Sequence, residues 1–239
     1  MKVFLINLDK NPERLRKCDA QLRRLGVDYE RFPAVYGKTL SRELKKRHVH
    51  GFLWWCAGGR RVLDGEIGCA LSHIGVYRKI IAEGLDFACV LEDDVILTPY
   101  FADQLKRVEG WVDSGSPQVV LLSNHTKREP EDDGAWRISW TKGDRGAEGY
   151  VITRPAAIAM IRANYPLRAA ADTWPRWVRR GGIELYHASP SVCSQDWTPG
   201  FCSDIGSSAV RNSTQFTVWG KIVFKCGRVI GKTIDALVR

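Results

Sequence analysis

FACVLEDDVIL, residues 87–97, is an apolar run broken by three consecutive carboxylates. The stretch over 87–91 has no polar alternation, which fits a strand buried on both faces of a parallel sheet. Glu92, Asp93 and Asp94 follow at once, and the sequence then returns to VIL. Three adjacent carboxylates at a strand end repel one another, and a cation among them removes that cost. In open α/β sheets ligands gather beyond the carboxyl ends of the strands. Hard oxygen donors there suit Mg²⁺ or Mn²⁺, which commonly share their coordination with substrate phosphates. The cluster therefore reads as a site for a metal and a nucleotide diphosphate. The competing reading is a solvated acidic turn, which the abrupt apolar flanks on both sides disfavour.

Towards the N-terminus, Val3-Phe4-Leu5-Ile6 is a second short apolar run of the buried-strand kind. Asn11-Pro12 offers an N-cap and a proline at the first helical position. The pattern predicts a helix over 12–25, stopped by Gly26, and a strand over 29–35. Strand, capped helix, strand opens an α/β fold. Residues 36–64 lack periodicity and read as a partly mobile loop or lid. His48 and His50 there are metal-ligand candidates, although an HxH in a basic segment is more often plain surface. Gly65-Glu66-Ile67-Gly68 opens a helix with an apolar stripe at Ile67, Leu71, Ile74 and Ile81, ended by Gly84. Further strands are expected over 119–122 and 149–153, and a helix over 155–163. Residues 126–146 read as a polar excursion, and 190–214 as irregular chain.

Composition narrows the class. The chain has 239 residues, 44% of them apolar and 26% charged, as in an ordinary folded protein. Its formal charge of +9 calls for an anionic partner without choosing among nucleic acid, phosphate-bearing substrate and acidic membrane. Seven cysteines, odd in number and scattered, form no CxxC pair. That argues against a disulfide framework or a zinc site and for a reducing compartment. MKVFLINLD is too short an apolar stretch for a signal peptide, and no run spans a bilayer, so a cytoplasmic protein is expected.

Three segments occur in order: VFLINLDKNPERL (3–15), GEIGCALSH (65–73) and VLEDDVIL (90–97). Together they resemble glycosyltransferase family 25, the lipooligosaccharide and collagen-hydroxylysine sugar transferases. The resemblance implies an α/β fold of the nucleotide-sugar transferase type called GT-A, with a mixed, mostly parallel sheet flanked by helices. It implies a UDP-sugar donor, with galactose or glucose favoured, a glycolipid or oligosaccharide acceptor of lipopolysaccharide type, and no nucleic acid partner. It also implies Mn²⁺ or Mg²⁺ held by the acidic cluster. Asp94 is then the foremost metal ligand. Glu92 faces the ribose or helps position the metal, and Asp93 could exchange roles with either. A cation there would offset the negative charge growing on the departing diphosphate. Asn7, Asp9 and Arg14 resemble the wall of the nucleotide pocket, although Asp9 and Asn11 could merely cap the turn. Glu66, Ser72 and His73 become candidates for the donor or acceptor site, without a firm role. Two glycines at a helix start let backbone approach a ligand, but their spacing is neither a Walker loop nor a dinucleotide fingerprint.

Family members mostly invert the donor's anomeric configuration, which requires a general base near the acceptor hydroxyl. Asp172, in AAADTWPRW, is the first candidate because Trp174 and Trp177 beside it could stack on sugar faces. Asp204, in CSDIG, is the second and resembles a family position. His187 is a candidate late metal ligand, as occurs in some enzymes of this fold.

The transferase domain is expected over 1–206, with a basic amphipathic segment over 207–239. Lys221, Lys225, Arg228, Lys232 and Arg239 share one helical face, opposite Phe216, Trp219, Val223, Ile230, Ile234 and Leu237. Such a helix suits peripheral attachment to the inner face of the cytoplasmic membrane, or packing on the core with a solvated basic face. Two other functions compete: a metal-dependent phosphoesterase or nuclease, and a non-catalytic sugar- or nucleotide-binding module. The first normally needs more than one ligand cluster. The second sits poorly with an intact EDD.

Overall fold

The computed structural model describes residues 1–58, 62–123, 136–141, 146–196 and 198. Its centre is a seven-stranded sheet in the order β2-β1-β3-β7-β5-β8-β6. The strands are β1 (Lys2–Asn7), β2 (Glu30–Pro33), β3 (Phe87–Glu92), β5 (Gln118–Leu121), β6 (Arg137–Trp140), β7 (Gly149–Thr153) and β8 (Glu184–Ser189). β1 pairs in parallel with both β2 and β3, and β5 pairs in parallel with β8. β7 and β6 run against their neighbours. A separate two-stranded ribbon joins β4 (Val95–Leu97) to β9 (Cys193–Gln195).

Alternate residues of the strands feed two cores. Phe4, Ile6, Ala88 and Val90 face one side, and Val3, Leu5, Cys89 and Leu91 the other. The first face is covered by α4 (Asp64–Ala82), α6 (Arg154–Asn164) and α7 (Trp174–Gly181). The second is covered by α1 (Pro12–Arg24) and α5 (Phe101–Trp111). Burial on both faces explains why the strands read as unbroken apolar runs. α1 begins with proline in its first turn, and the chain turns away from it at Gly26, whose φ of +64° favours glycine.

Several expectations need correction. The described part of 36–64 is not a loop: a 3₁₀ turn (Gly37–Thr39) leads into α2 (Arg42–His48) and α3 (Gly51–Gly58). Ser41 caps α2 by accepting from the Leu44 N–H at 3.2 Å. α3 is apolar nearly all round, so it carries no amphipathic pattern to read. The excursion over 126–146 contains β6, and the segment over 190–214 contains β9. His48 and His50 are structural. His48 Nδ1 lies 2.8 Å from the Tyr165 hydroxyl, and His50 Nδ1 accepts from the Leu53 N–H. No described helix is long and apolar enough to cross a membrane. The amphipathic segment over 207–239 and Asp204 lie outside the described residues.

Candidate active site

β1 and β3 are neighbours and end together, so Asn7 and the Glu92-Asp93-Asp94 cluster meet at one edge of the sheet. A cleft opens there, with about 590 Å³ of free space when the part open to solvent is included. One wall is apolar, formed by Ile6, Leu8, Ala34, Val35 and Tyr36. The other carries Arg14, Cys69, His73 and the three carboxylates. A mostly apolar concavity with a few convergent polar groups is the usual form of a small-molecule site.

Each carboxylate is held differently. Asp93 accepts from Asn7 Nδ2 at 2.7 Å and from an Arg14 guanidinium nitrogen at 3.0 Å. Burial raises its carboxyl, against the lowering pull of those two hydrogen bonds. Asn7 is saturated. Besides Asp93 it donates to the Asn11 carbonyl at 3.1 Å and accepts from Arg31 Nε at 2.9 Å. Glu92 lies 3.0 Å from His73 Nε2 and 3.7 Å from the Cys69 sulfur. His73 Nδ1 is 2.6 Å from the Tyr150 hydroxyl, which is 2.9 Å from that of Tyr77.

Asp94 is 5% exposed. Its Oδ2 accepts from Gln195 Nε2 at 3.0 Å, and its backbone carbonyl accepts the Asp196 N–H at 2.7 Å. Oδ1 is buried and has no hydrogen-bond partner among the described residues. Burial, and after it the charge of Glu92, pushes the Asp94 carboxyl up to about 7. A buried carboxylate oxygen without a donor is costly unless a cation meets it. The site therefore fits a hard divalent ion held by Asp94 with Glu92 beside it.

The family model described as glycosyltransferase family 25 (LPS biosynthesis protein) matches residues 1–174. The chain belongs to glycosyltransferase family 25. It is 35% identical to procollagen galactosyltransferase 1-A of Xenopus laevis over 250 aligned positions, covering 92% of this chain and 40% of that protein. A Drosophila melanogaster glycosyltransferase 25 family member is 31% identical over 211 positions, covering 79% of this chain and 34% of the relative. A mouse protein named inactive glycosyltransferase 25 family member 3 is 30% identical over 173 positions, 64% of this chain. The chain spans 23% to 40% of the length of such relatives.

The three family segments converge on the cleft. From the first, Asn7 and Arg14 brace Asp93, whereas the exposed Asp9 is engaged with Arg31. From the second, His73 reaches the cleft wall and Glu92. Ser72 acts on backbone: its hydroxyl donates to the Gly68 carbonyl at 2.7 Å and accepts the Val35 N–H at 2.9 Å. Glu66 is buried and accepts the Leu63 N–H at 3.0 Å, closing the start of α4. Gly68 packs backbone against backbone: a Cβ there would stand 2.4 Å from the Val35 carbonyl oxygen. Its smallness thus serves the fit of α4 against the loop that forms the apolar wall.

Trp174 and Trp177 cannot stack on sugars, because both are fully buried. Trp174 Nε1 donates to the Gly146 carbonyl at 2.6 Å and Trp177 Nε1 to the Ala171 carbonyl at 3.1 Å. Their packing instead sets the loop that carries Asp172. Asp172 is half-buried, and its charge, with those of Glu92 and Asp94, bears on the Cys69 thiol. The fold thus brings Asp172, in the loop before α7 and on the same face of the sheet as α4, towards the acidic cluster. His187 lies near the carboxyl end of β8, level with Leu121 of β5, and its buried Nδ1 has no partner among the described residues. Sequence reasoning missed Cys69, Tyr36 and Gln195. Cys69 stands four residues before His73, a spacing that places both on one helical face and could have revealed it. Gln195 lay in chain without pattern.

Proposed function

We propose that this protein is a metal-assisted glycosyltransferase that moves a hexose from a UDP-sugar to a glycan hydroxyl. The observation that carries the reading is the Asp94 carboxylate, buried at the carboxyl end of the central strands with Oδ1 unpaired among the described residues. The family and the parallel strands ending at a cleft support a fold of the GT-A type. Galactose is the proposed sugar, supported by the name of the Xenopus relative.

Asp94 and Glu92 would hold Mn²⁺ or Mg²⁺; His187, three strands from β3 in the order β3-β7-β5-β8, lies away from them. Such a cation, when bound, would offset the charge that develops on the departing nucleoside diphosphate. The apolar wall from Ile6 to Tyr36 would take the flat faces of the nucleobase. Asn7 and Arg14 fix Asp93 and so hold the strand end rigid. Asp172 would act as the base: the acceptor oxygen attacks the anomeric carbon, the bond to diphosphate breaks with inversion, and the hydroxyl proton passes to the Asp172 carboxylate. Attachment of the 215–239 segment to an anionic membrane surface belongs to the same proposal and is supported by its residue spacing.

The acceptor is proposed to be an oligosaccharide of lipopolysaccharide type, supported by the family description. A hydroxyl on procollagen is a second reading, favoured by the names of the Xenopus relatives. A panel of UDP-sugars with lipooligosaccharide core or hydroxylysine-containing peptide tests both. UDP release from UDP-galactose that rises at least tenfold with one acceptor supports the proposal and chooses the acceptor. Release that ignores every acceptor contradicts transfer and favours a phosphoesterase.

A further inference from the structure

Beside the hard oxygen site stands a group of different chemistry. Cys69 and His73 lie four residues apart on α4 and face Glu92 at the end of β3. The ligating atoms of the three side chains all lie within 4.8 Å of one another. The pairs that involve Glu92 are 3.0 and 3.7 Å apart. Those separations suit a tetrahedral ion with bonds of about 2.0 Å to nitrogen and oxygen and about 2.3 Å to sulfur.

We propose that Cys69, His73 and Glu92 form a thiolate site for a borderline-soft ion of the zinc class, separate in its chemistry from the Asp94 site. Three features besides the spacing carry it. First, the donor set is mixed: sulfur, imidazole nitrogen and one carboxylate oxygen. Mg²⁺ and Mn²⁺ prefer all-oxygen shells, whereas Zn²⁺ takes thiolate and imidazole. Second, the imidazole is already supported. His73 Nδ1 lies 2.6 Å from the Tyr150 hydroxyl, which continues to Tyr77. Metal binding selects the tautomer with Nδ1–H donating to Tyr150, which turns the Nε2 lone pair, on the side facing Glu92 at 3.0 Å, to the ion, the outer-shell arrangement usual for a metal-binding histidine. Third, all three residues line the cleft, which leaves a fourth coordination position open to water or to a donor oxygen.

The proton balance is direct. Zn²⁺ takes the place of the Cys69 thiol proton, which leaves to solvent, and neutral His73 supplies its Nε2 lone pair. Burial, and after it the charges of Glu92, Asp172 and Asp94, oppose a bare thiolate, and the same negative charge favours a divalent cation. Occupancy takes Glu92 away from the donor site, so zinc would act as a brake on whatever binds in the cleft. The zinc site itself stands independently of the transferase reading.

Co²⁺ titration of the intact metal-free protein tests the proposal, with absorption spectroscopy as the readout. One equivalent of Co²⁺ should give an intense tetrahedral visible band with a sulfur-to-cobalt charge-transfer band, and Zn²⁺ should displace both. Cys69→Ser should lose the charge-transfer band and weaken binding at least tenfold. Tyr150→Phe should keep the band but weaken binding about tenfold, as loss of outer-shell support does. Wild-type protein without a charge-transfer band overturns the proposal, whatever the variants do. A full-strength band in folded Cys69→Ser overturns it as well, because the sulfur is then another cysteine. The readout requires no turnover, so it stays separable from a failure of the transferase assay.

Discussion

Asn7 Nδ2 donates to Asp93 Oδ2 across 2.7 Å, joining the ends of β1 and β3 through side chains as well as through the ladder. The same carboxamide receives Arg31 and holds the turn at Asn11. Asn7 is therefore a joint between the end of β1, the turn that follows it and the acidic cluster. Asn7→Ala removes a partner from a largely buried carboxylate and should cost about 1–3 kcal/mol in a urea melt. Asn7→Asp should cost more, because it sets a second charge against Asp93. Wild-type stability in both variants would contradict this role.

Gly68→Ala should disturb the cleft from behind. The added methyl would meet the Val35 carbonyl oxygen at 2.4 Å and the Gly37 nitrogen at 2.7 Å. Backbone cannot swing aside as a flexible side chain can, so α4 and the apolar wall must separate. The expected loss is about 1–3 kcal/mol of stability, with weaker UDP binding. Unchanged UDP affinity in a folded variant would show that this wall does not touch the nucleotide.

Asp94 should give metal-free protein an unusual pH dependence. Its carboxyl is pushed up to about 7 in the fold, against about 4 in an unfolded chain. The folded state therefore holds that proton more tightly. The Asp94 contribution to stability is greatest below about pH 4, declines as pH rises towards 7, and levels off above it. Asp94→Asn removes the decline, so without metal the variant should be the more stable protein at pH 8. Saturating Mn²⁺ should reverse that order, because only wild type gains from ligation. Urea melts at pH 5 and pH 8 check this, and an Asp94→Asn difference that is equal at the two pH values would contradict it.

The sequence carried the central framework because its signals are local. The apolar run over 87–91 marks β3, proline and Gly26 frame α1, and the EDD cluster marks the sheet edge. It did not say which carboxylate faces which neighbour. Asp93 turns to α1, Glu92 to α4 and Asp94 to β9, and only assembly of those elements decides that. α3 was illegible because GFLWWCAG is apolar on every side. Trp174 and Trp177 misled for a related reason. Aromatic residues beside a carboxylate resemble a sugar platform until packing shows both indole N–H groups bonded to backbone carbonyls.

Asp172→Asn should separate chemistry from binding. The substitution removes a base while keeping its size, so turnover should fall about 10²- to 10⁴-fold with UDP-galactose affinity unchanged. Single-turnover rates alongside donor Kd values give the comparison. If Asp204→Asn shows this pattern and Asp172→Asn does not, the base is Asp204.

The most direct test of the metal-assisted site compares wild type and Asp94→Asn for UDP-galactose turnover with acceptor and for calorimetric UDP binding, each with Mn²⁺ and with chelator. Wild type should turn over and bind UDP tightly only with Mn²⁺, while a folded Asp94→Asn should lose at least a hundredfold in turnover and show no Mn²⁺ enhancement of UDP binding. Full turnover of wild type in chelator, or Mn²⁺-enhanced UDP binding in Asp94→Asn equal to that of wild type, would contradict the account.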